Sequence, residues 1–196
     1  MAALRRGASP RTRRQLRGRG VRVPALGVPA PVLQALAEEH APDTALARRL
    51  WASGRYDARR LALRVVDPGQ LTPADLDRWA RDVADELLLG ELVETAARSP
   101  SARTAALRFI RARRPWVAAA GWRLVALLAD RPALAGDRAS LLAILEASPS
   151  IGPAPTLDAQ GAALEALACV PDGEVTVPAS TGTDAADDAG RPPSTE

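Results

Sequence analysis

Arginines without any accompanying acid are concentrated in one stretch, and they are the side chains best suited to binding phosphate. Residues 98–123 contain no Asp or Glu, and their arginines are Arg98, Arg103, Arg108, Arg111, Arg113, Arg114 and Arg123. Because guanidinium groups bind phosphate through two parallel hydrogen bonds, the stretch predicts contacts to a nucleic-acid backbone. The preceding residues 75–94 carry seven acids against two arginines. The arginines could equally pair with that acidic stretch.

The sequence offers little for metal or thiol chemistry. It contains one His and one Cys, which excludes an internal disulfide and the ligand set of a structural zinc site. We therefore expect no metal and no other cofactor. His40 falls at the end of a predicted helix, where the helix dipole favours a cation, and apolar neighbours predict that Cys169 is buried. No apolar run approaches the roughly 20 residues that cross a bilayer, so we expect no membrane partner.

The net charge of +3 is the sum over segments of opposite charge at the two ends of the chain. Residues 1–22 contain eight arginines and no acid. With few large apolar residues, residues 1–23 predict a disordered basic arm. That arm could bind nucleic-acid phosphates, or it could be a solubilising extension or the product of a start codon assigned too early. Residues 171–196 carry six acids against one arginine and predict a disordered acidic tail.

Short helices are predicted for residues 24–170, between these two termini, and they are the elements that position the candidate side chains. Proline and a preceding Ser, Thr or Asp mark most helix starts, as in Thr72-Pro73-Ala74-Asp75. About nine such helices indicate an all-α fold of the HEAT-like or armadillo type, in which stacked pairs bury each other's apolar faces. The spacing of the starts is uneven, so a compact bundle remains an alternative. The four Trp residues fit core positions.

Four stretches resemble, in order and spacing, motifs of the DNA alkylation repair glycosylases. Residues 27–39 (GVPAPVLQALAEE) resemble the family's GVxxPxLRxLAxE, and residues 50–59 (LWASGRYDAR) resemble LWxxGxxEAR. Residues 71–82 (LTPADLDRWARD) resemble LTPxxLDxWVRD, and residues 116–122 (WVAAAGW) resemble xFVRRAGF. The resemblance implies an all-α HEAT-like solenoid whose concave basic face holds duplex DNA. It also implies hydrolysis of the N-glycosidic bond of N3- or N7-alkylated purines.

The residues that perform this hydrolysis in the family are replaced here. A carboxylate stabilises the oxocarbenium-like sugar, and aromatic faces favour the cationic base; the family supplies both from a WDxxD motif. At its positions this sequence has Glu86 for the Trp and Leu87 and Gly90 for the two Asp. Ala118 and Ala119 replace the arginines of the VRRAG motif. No catalytic residue carries over, and Glu91 and Glu94 on the same predicted helix are the candidates for a compensating carboxylate.

The favoured interpretation is a DNA alkylation repair-type protein that binds the phosphates of duplex DNA and whose glycosylase activity is lost or much reduced. It would be cytoplasmic, and associated with the nucleoid if it binds DNA. The candidate DNA-binding residues are Arg103, Arg108, Arg111, Arg113, Arg114 and Arg123. The alternative is a non-catalytic helical-repeat scaffold that binds protein.

Overall fold

Helices make up the regular structure of the described chain. The computed structural model describes residues 1–147 and 154–169, and no strand occurs within these ranges. The helices are α1 (Ala2–Arg6), α2 (Pro10–Gly18), α3 (Ala30–His40), α4 (Thr44–Ala52), α5 (Tyr56–Val65), a 3₁₀ turn (Pro68–Gln70), α6 (Pro73–Arg81), α7 (Glu86–Ala97), α8 (Ala102–Phe109), α9 (Pro115–Leu128), α10 (Pro132–Ala135), α11 (Arg138–Ala147) and α12 (Ala154–Cys169). The nine helices predicted between residues 31 and 169 are all present, and α1, α2 and α10 are additional.

The first 22 residues are folded, so the prediction of a disordered arm is wrong. Ser9 and Pro10 begin α2, where the Ser9 hydroxyl accepts a hydrogen bond from the Thr12 amide at 3.4 Å. Leu4 and Leu16 are almost fully buried and belong to the same core as the later helices. Burial of these two leucines stabilises the folded N-terminal segment. The composition of residues 1–22 did not indicate this burial. The predicted acidic tail, residues 171–196, lies outside the described residues.

Polar caps set the beginnings of the helices that carry the fold. The predicted start at Thr72 is confirmed as a capping box, in which the Thr72 hydroxyl and the Asp75 carboxylate each accept a hydrogen bond from the other's amide at 3.2 Å. Asp43 and Asp85 cap α4 and α7 through the amides of the residues three positions on. Each cap satisfies an amide that a helix start leaves without a partner.

Consecutive helices form pairs that stack in two rows. The pairs are α4 with α5, α6 with α7, and α8 with α9. Helices α4, α6 and α8 form the first row, and α5, α7, α9 and α12 form the second row, in which each helix packs against the next. This arrangement is the HEAT-like solenoid that the sequence predicts. A compact bundle is thereby excluded.

Matching contacts between successive pairs show that helices in one row run parallel. In the first row Arg48 binds Asp75, and one turn later Trp51 stacks on Trp79 with ring centroids 4.5 Å apart. In the second row Tyr56, at the start of α5, donates to Asp85 at the start of α7. The starts of α5 and α7 therefore lie on the same edge of the solenoid, beside the ends of α4 and α6.

The core confirms the tryptophan prediction and corrects the one for the cysteine. Trp51, Trp79 and Trp122 are fully buried, and Trp116 packs against the core while partly exposed. Cys169 is exposed, contrary to the prediction. The buried side of α12 consists of Ala159, Ala163 and Leu167, which follow one another at four-residue intervals. Cys169 follows Leu167 by two positions and so lies on the opposite side of the helix.

Gly121 provides a stability test of the packing between α8 and α9. A Cβ added there would lie 2.4 Å from the Ile110 nitrogen and 2.7 Å from the Phe109 carbonyl carbon, both backbone atoms that cannot rotate away. We expect Gly121→Ala to lower the free energy of unfolding by about 2 kcal/mol, as measured by urea denaturation. Gly90→Ala on α7 is the matched control, because its Cβ meets nothing within 4 Å. Equal stability of the two variants would contradict the close packing.

Candidate nucleic-acid interface

The arginines of residues 98–123 do not form one continuous face. Arg103 pairs with Asp137 at 2.7 Å, and Arg108 pairs with Asp77 at 2.6 Å, both from α8 in the first row. Arg123 lies on α9 in the second row and pairs with Glu86. Arg108 and Arg123 thus follow the alternative prediction, pairing with the acidic stretch at residues 75–94. Ion pairing leaves these guanidinium groups less available to phosphate.

Three arginines of that stretch remain open to solvent. Arg111, Arg113 and Arg114 are exposed in the connection between α8 and α9. Within the part of the chain that the structure describes, none of them forms an ion pair with a carboxylate. Of the six predicted DNA-binding residues, these three are therefore the ones whose guanidinium groups are unneutralised.

The two carboxylates considered as catalytic substitutes occupy different surroundings. Glu91 lies in α7 and accepts hydrogen bonds from Arg60 and Arg64 of α5, both as short as 2.6 Å. Burial raises the pKa of the Glu91 carboxyl, but the hydrogen bonds and positive charges of Arg64 and Arg60 outweigh it and hold the pKa below its ordinary value. Glu94 is exposed. Glu91 therefore serves as the anion that links α5 to α7, and both of its oxygens are occupied.

The Glu91 link predicts a loss of stability in acid. Because the folded-state pKa of Glu91 lies below the unfolded value of 4.5, the link stabilises the fold above that pH and is lost as the pH falls through the folded pKa. We expect Glu91→Gln to cost about 2 kcal/mol at neutral pH and to flatten the decline of stability in acid. Urea denaturation at neutral and acidic pH measures both effects, with Glu94→Gln as the exposed control. An unchanged acid profile would contradict the role of Glu91.

The positions that align with the family's catalytic motif border a small cleft. Glu86 and Leu87 line it together with Asp85. Leu16 of α2 and two residues after the end of α2, Arg19 and Val21, contribute the rest. No aromatic side chain lines this cleft, whose volume is about 410 Å³. Asp85, its buried carboxylate, caps α7 by accepting from the Leu88 amide at 3.0 Å and also accepts from the Tyr56 hydroxyl at 2.8 Å.

Tyr56 and the paired tryptophans, Trp51 and Trp79, do not line that cleft. Burial, aided by the negative charge of Asp85, raises the pKa of the Tyr56 hydroxyl far above its ordinary value, so it remains a hydrogen-bond donor. The indole nitrogen of Trp51 donates to Asp82 at 2.9 Å, Trp79 stacks on this ring, and the Arg59 guanidinium lies over it at 5.5 Å from its centroid. The aromatic rings that could stack on a cationic base therefore lie inside the repeat stack.

The buried Asp57 carboxylate fastens the N-terminal helices to the solenoid. It lies at the start of α5, is fully buried, and accepts hydrogen bonds from three consecutive amides, those of Leu26, Gly27 and Val28, at 2.5 to 3.2 Å. Gly27 has φ of +79°, and a Cβ there would lie 2.5 Å from the Arg13 nitrogen in α2. Only glycine permits this close approach of the chain to α2.

The N-terminal helices carry the largest group of unneutralised arginines. None of the eight arginines in residues 1–22 forms an ion pair with a carboxylate of the described chain. Arg13 is fixed by its hydrogen bonds to the Leu26 carbonyl at 3.2 and 3.4 Å. The sequence predicted their charge but not that they lie on a folded surface. The signal was available in the Ser9-Pro10 helix start and in the burial-prone Leu4 and Leu16.

Four arginines converge on a cleft beside α2. Its lining includes Arg13 and Arg17 from α2, Arg22 from the segment that follows, and Arg55 from the turn between α4 and α5. The cleft has a volume of about 710 Å³, and no carboxylate of the described residues lines it. Its remaining lining is apolar: Leu16, Val21, Val23, Pro24 and Ala25. We call it the arginine cleft. It can hold an anion beside positive charges that come from three segments of the chain.

Comparisons with known proteins agree with the helical-repeat fold. The family model described as DNA alkylation repair enzyme matches residues 1–150. The chain belongs to this family. A solved structure described as "A new family of proteins related to the HEAT-like repeat DNA glycosylases with affinity for branched DNA structures" matches with a TM-score of 0.73 and 25% identity, over 86% of this chain and 74% of that one. No curated protein matches the sequence.

Membership of the DNA alkylation repair enzyme family gives two of its sequence motifs a structural meaning. The family match begins at residue 1 and so includes α1 and α2. The motif at residues 27–39 and the motif at residues 50–59 contact each other, because Asp57 of the second binds the amides of Gly27 and Val28 of the first. These motifs therefore hold the N-terminal helices on the repeats. None of the described helices has the length and apolar character needed to span a bilayer.

Proposed function

We propose that this member of the DNA alkylation repair enzyme family binds DNA through arginine–phosphate contacts and does not hydrolyse the N-glycosidic bond. The observation that carries the proposal is the folded, unneutralised arginine surface of residues 1–22. A cluster of positive charges that have no carboxylate partner within the described residues attracts the phosphates of DNA and releases the counterions bound to them. Arg111, Arg113 and Arg114 supply a second set of contacts.

The absence of hydrolysis follows from the cleft at the aligned catalytic positions. Stabilising the oxocarbenium-like sugar requires a carboxylate free to face it. Glu86 is paired with Arg123, Glu91 is bound by two arginines, and Asp85 is hydrogen-bonded to Tyr56 and the Leu88 amide. Leu87 and Gly90 contribute no charge. The site also lacks an aromatic face for a cationic base, since Trp51 and Trp79 stack on each other.

The structural relative is described as having affinity for branched DNA. We extend this property to the present protein and propose that it binds a branched DNA at least as tightly as a duplex of the same length. Arginine contacts to phosphates carry no sequence information by themselves. We therefore expect affinity to depend on DNA shape and salt, with little dependence on base sequence.

Two measurements test the proposal together. Fluorescence anisotropy with a blunt duplex and with a four-way junction, each at two salt concentrations, measures affinity and its salt dependence. We expect log K to fall linearly with the logarithm of the salt concentration, by about 0.9 per duplex phosphate contacted. Release of alkylated purines from methylated duplex DNA, compared with an active member of the family, measures hydrolysis. We expect no release above the rate without protein.

The loss of catalysis, the DNA binding and the binding to branched DNA can each be contradicted separately. Release of alkylated bases would overturn the loss of catalysis and leave the DNA contacts in place. Absence of salt-sensitive binding to both DNAs would overturn the DNA proposal and favour the non-catalytic scaffold that binds protein. Tight binding to duplex with weak binding to the junction would overturn only the preference for branched DNA.

A further inference from the structure

We infer that the arginine cleft binds one or two nucleotides of an unpaired DNA strand, which makes it a strand-specific subsite within the proposed DNA-binding surface. This inference rests on the proposed function and extends it to a particular place and a particular form of DNA. The cleft is lined by arginines from three separate segments: Arg13 and Arg17 from α2, Arg22 after it, and Arg55 from the α4–α5 turn.

The size of the cleft selects what can enter. Its volume of about 710 Å³ corresponds to a cube with an edge of about 9 Å and lies within the range of small-molecule sites, about 300 to 1,000 Å³. A duplex, whose major groove alone is about 12 Å wide, is too broad to be enclosed by a cleft of this volume. One or two nucleotides of a single strand can enter it.

The chemistry of the lining fits a nucleotide strand. The lining arginines can contact the phosphates of a strand that lies in the cleft, and guanidinium groups are suited to such contacts. Leu16, Val21 and Val23 offer an apolar surface to sugars and base faces. No aromatic side chain lines the cleft. Recognition therefore depends on the backbone and tolerates any base sequence.

The cleft is held open before DNA binds. Arg13 is fixed by two hydrogen bonds to the Leu26 carbonyl, and Tyr56, next to Arg55, donates its amide to the Pro24 carbonyl at 3.1 Å. Asp57 fixes residues 26–28 beside it. Because these backbone contacts set the separation of the arginines in the absence of DNA, binding a strand needs little rearrangement of the protein.

A comparison of two DNAs and two triple variants tests the inference. The DNAs are a blunt duplex and the same duplex with a short single-stranded overhang, measured by fluorescence anisotropy. The cleft variant combines Arg17→Gln, Arg22→Gln and Arg55→Gln. The control variant combines Arg49→Gln, Arg78→Gln and Arg98→Gln, which remove the same charge from exposed arginines that do not line the cleft. Urea denaturation shows whether each variant is folded, and the single exposed change Arg17→Gln serves if the triple cleft variant is not.

We expect the wild-type protein to bind the overhang DNA about tenfold more tightly than the blunt duplex, because it adds phosphate contacts in the cleft. The cleft variant should lose this preference, and its salt slope on the overhang DNA should fall by about 1, at 0.7 for each of the one or two single-strand phosphates in the cleft. The control variant should keep the preference. Arg17→Gln alone should reduce it severalfold.

Each of the other possible results contradicts either the cleft assignment or the proposed function on which it rests. Wild-type protein that binds both DNAs equally refutes the cleft assignment and leaves the proposed function standing. A preference that persists in the cleft variant, or that disappears equally in the control variant, places the strand elsewhere on the protein. Failure of wild-type protein to bind either DNA overturns the proposed function itself.

Discussion

Replacing Arg6, Arg11 and Arg14 by glutamine is expected to weaken binding to duplex DNA about 100-fold at moderate salt. These three arginines are exposed on α1 and α2, lie outside the arginine cleft and have no carboxylate partner in the described chain. If each contributes about 1 kcal/mol through a phosphate contact after screening by salt, the sum corresponds to two powers of ten in affinity. Fluorescence anisotropy across a salt series measures the loss, and the slope of log K should fall by about 3.

The matched control removes the same formal charge from arginines that are already paired. Arg103→Gln, Arg108→Gln and Arg123→Gln break the ion pairs with Asp137, Asp77 and Glu86. We expect this variant to lose no more than about tenfold in affinity, since those guanidinium groups are partly neutralised in the free protein. An equal loss in both variants would mean that net charge, and not the surface of α1 and α2, governs binding. A larger loss in the control would place the DNA on α8 and α9.

Replacing Asp57 by alanine is expected to lower the free energy of unfolding by about 4 kcal/mol. The change leaves the amides of Leu26, Gly27 and Val28 without their shared acceptor in a buried place, and each hydrogen bond to a charged group contributes about 1.5 to 3 kcal/mol. Urea denaturation measures the loss. Residues 1–28 should also become sensitive to limited proteolysis, because Asp57 is the side chain that fastens them to α5.

The Asp57→Ala and Asp57→Asn variants link this structural role to DNA binding. Asparagine keeps one of the two acceptor oxygens, so we expect Asp57→Asn to lose about half as much stability as Asp57→Ala. Both variants should bind DNA more weakly wherever α1 and α2 have detached from the repeats, even though no arginine has been changed. Wild-type affinity in a variant whose N-terminal segment is cleaved by protease would show that α1 and α2 need not be docked for binding.

Much of the helical architecture could be predicted from the sequence. Thr72, Pro73 and Asp75 form a capping box within four residues, so local pattern alone locates the start of α6. The apolar spacing around Trp79 likewise predicts its burial. Stacking of Trp51 on Trp79 could not be predicted, because it depends on how the first repeat is translated onto the second. Local signals determine a helix, and only packing determines its neighbours.

The arginines show the same division between sequence and structure. Charge counting located two basic stretches, residues 1–22 and residues 98–123, and favoured the second for DNA binding. The structure brings Arg108 to Asp77 and Arg123 to Glu86, which lie about thirty or more positions earlier in the chain. It also folds the first stretch, whose arginines form no ion pair with a carboxylate in residues 1–147 or 154–169. Which charges face solvent unneutralised is a property of distances across the fold, and the linear order of residues does not encode those distances.

Residue types and their local spacing are enough to specify the all-α repeat class, most helix starts and the loss of the family's Trp and Asp residues at Glu86, Leu87 and Gly90. These depend on residue identity and on spacings of three or four positions, which helix geometry converts directly into structure. Contacts between distant parts of the chain, in contrast, fold the first 22 residues and bring four arginines to one cleft. The reason is that Asp57 reaches the amides of residues 26–28 from about thirty positions away, and contacts over such a separation form only when the whole core has assembled.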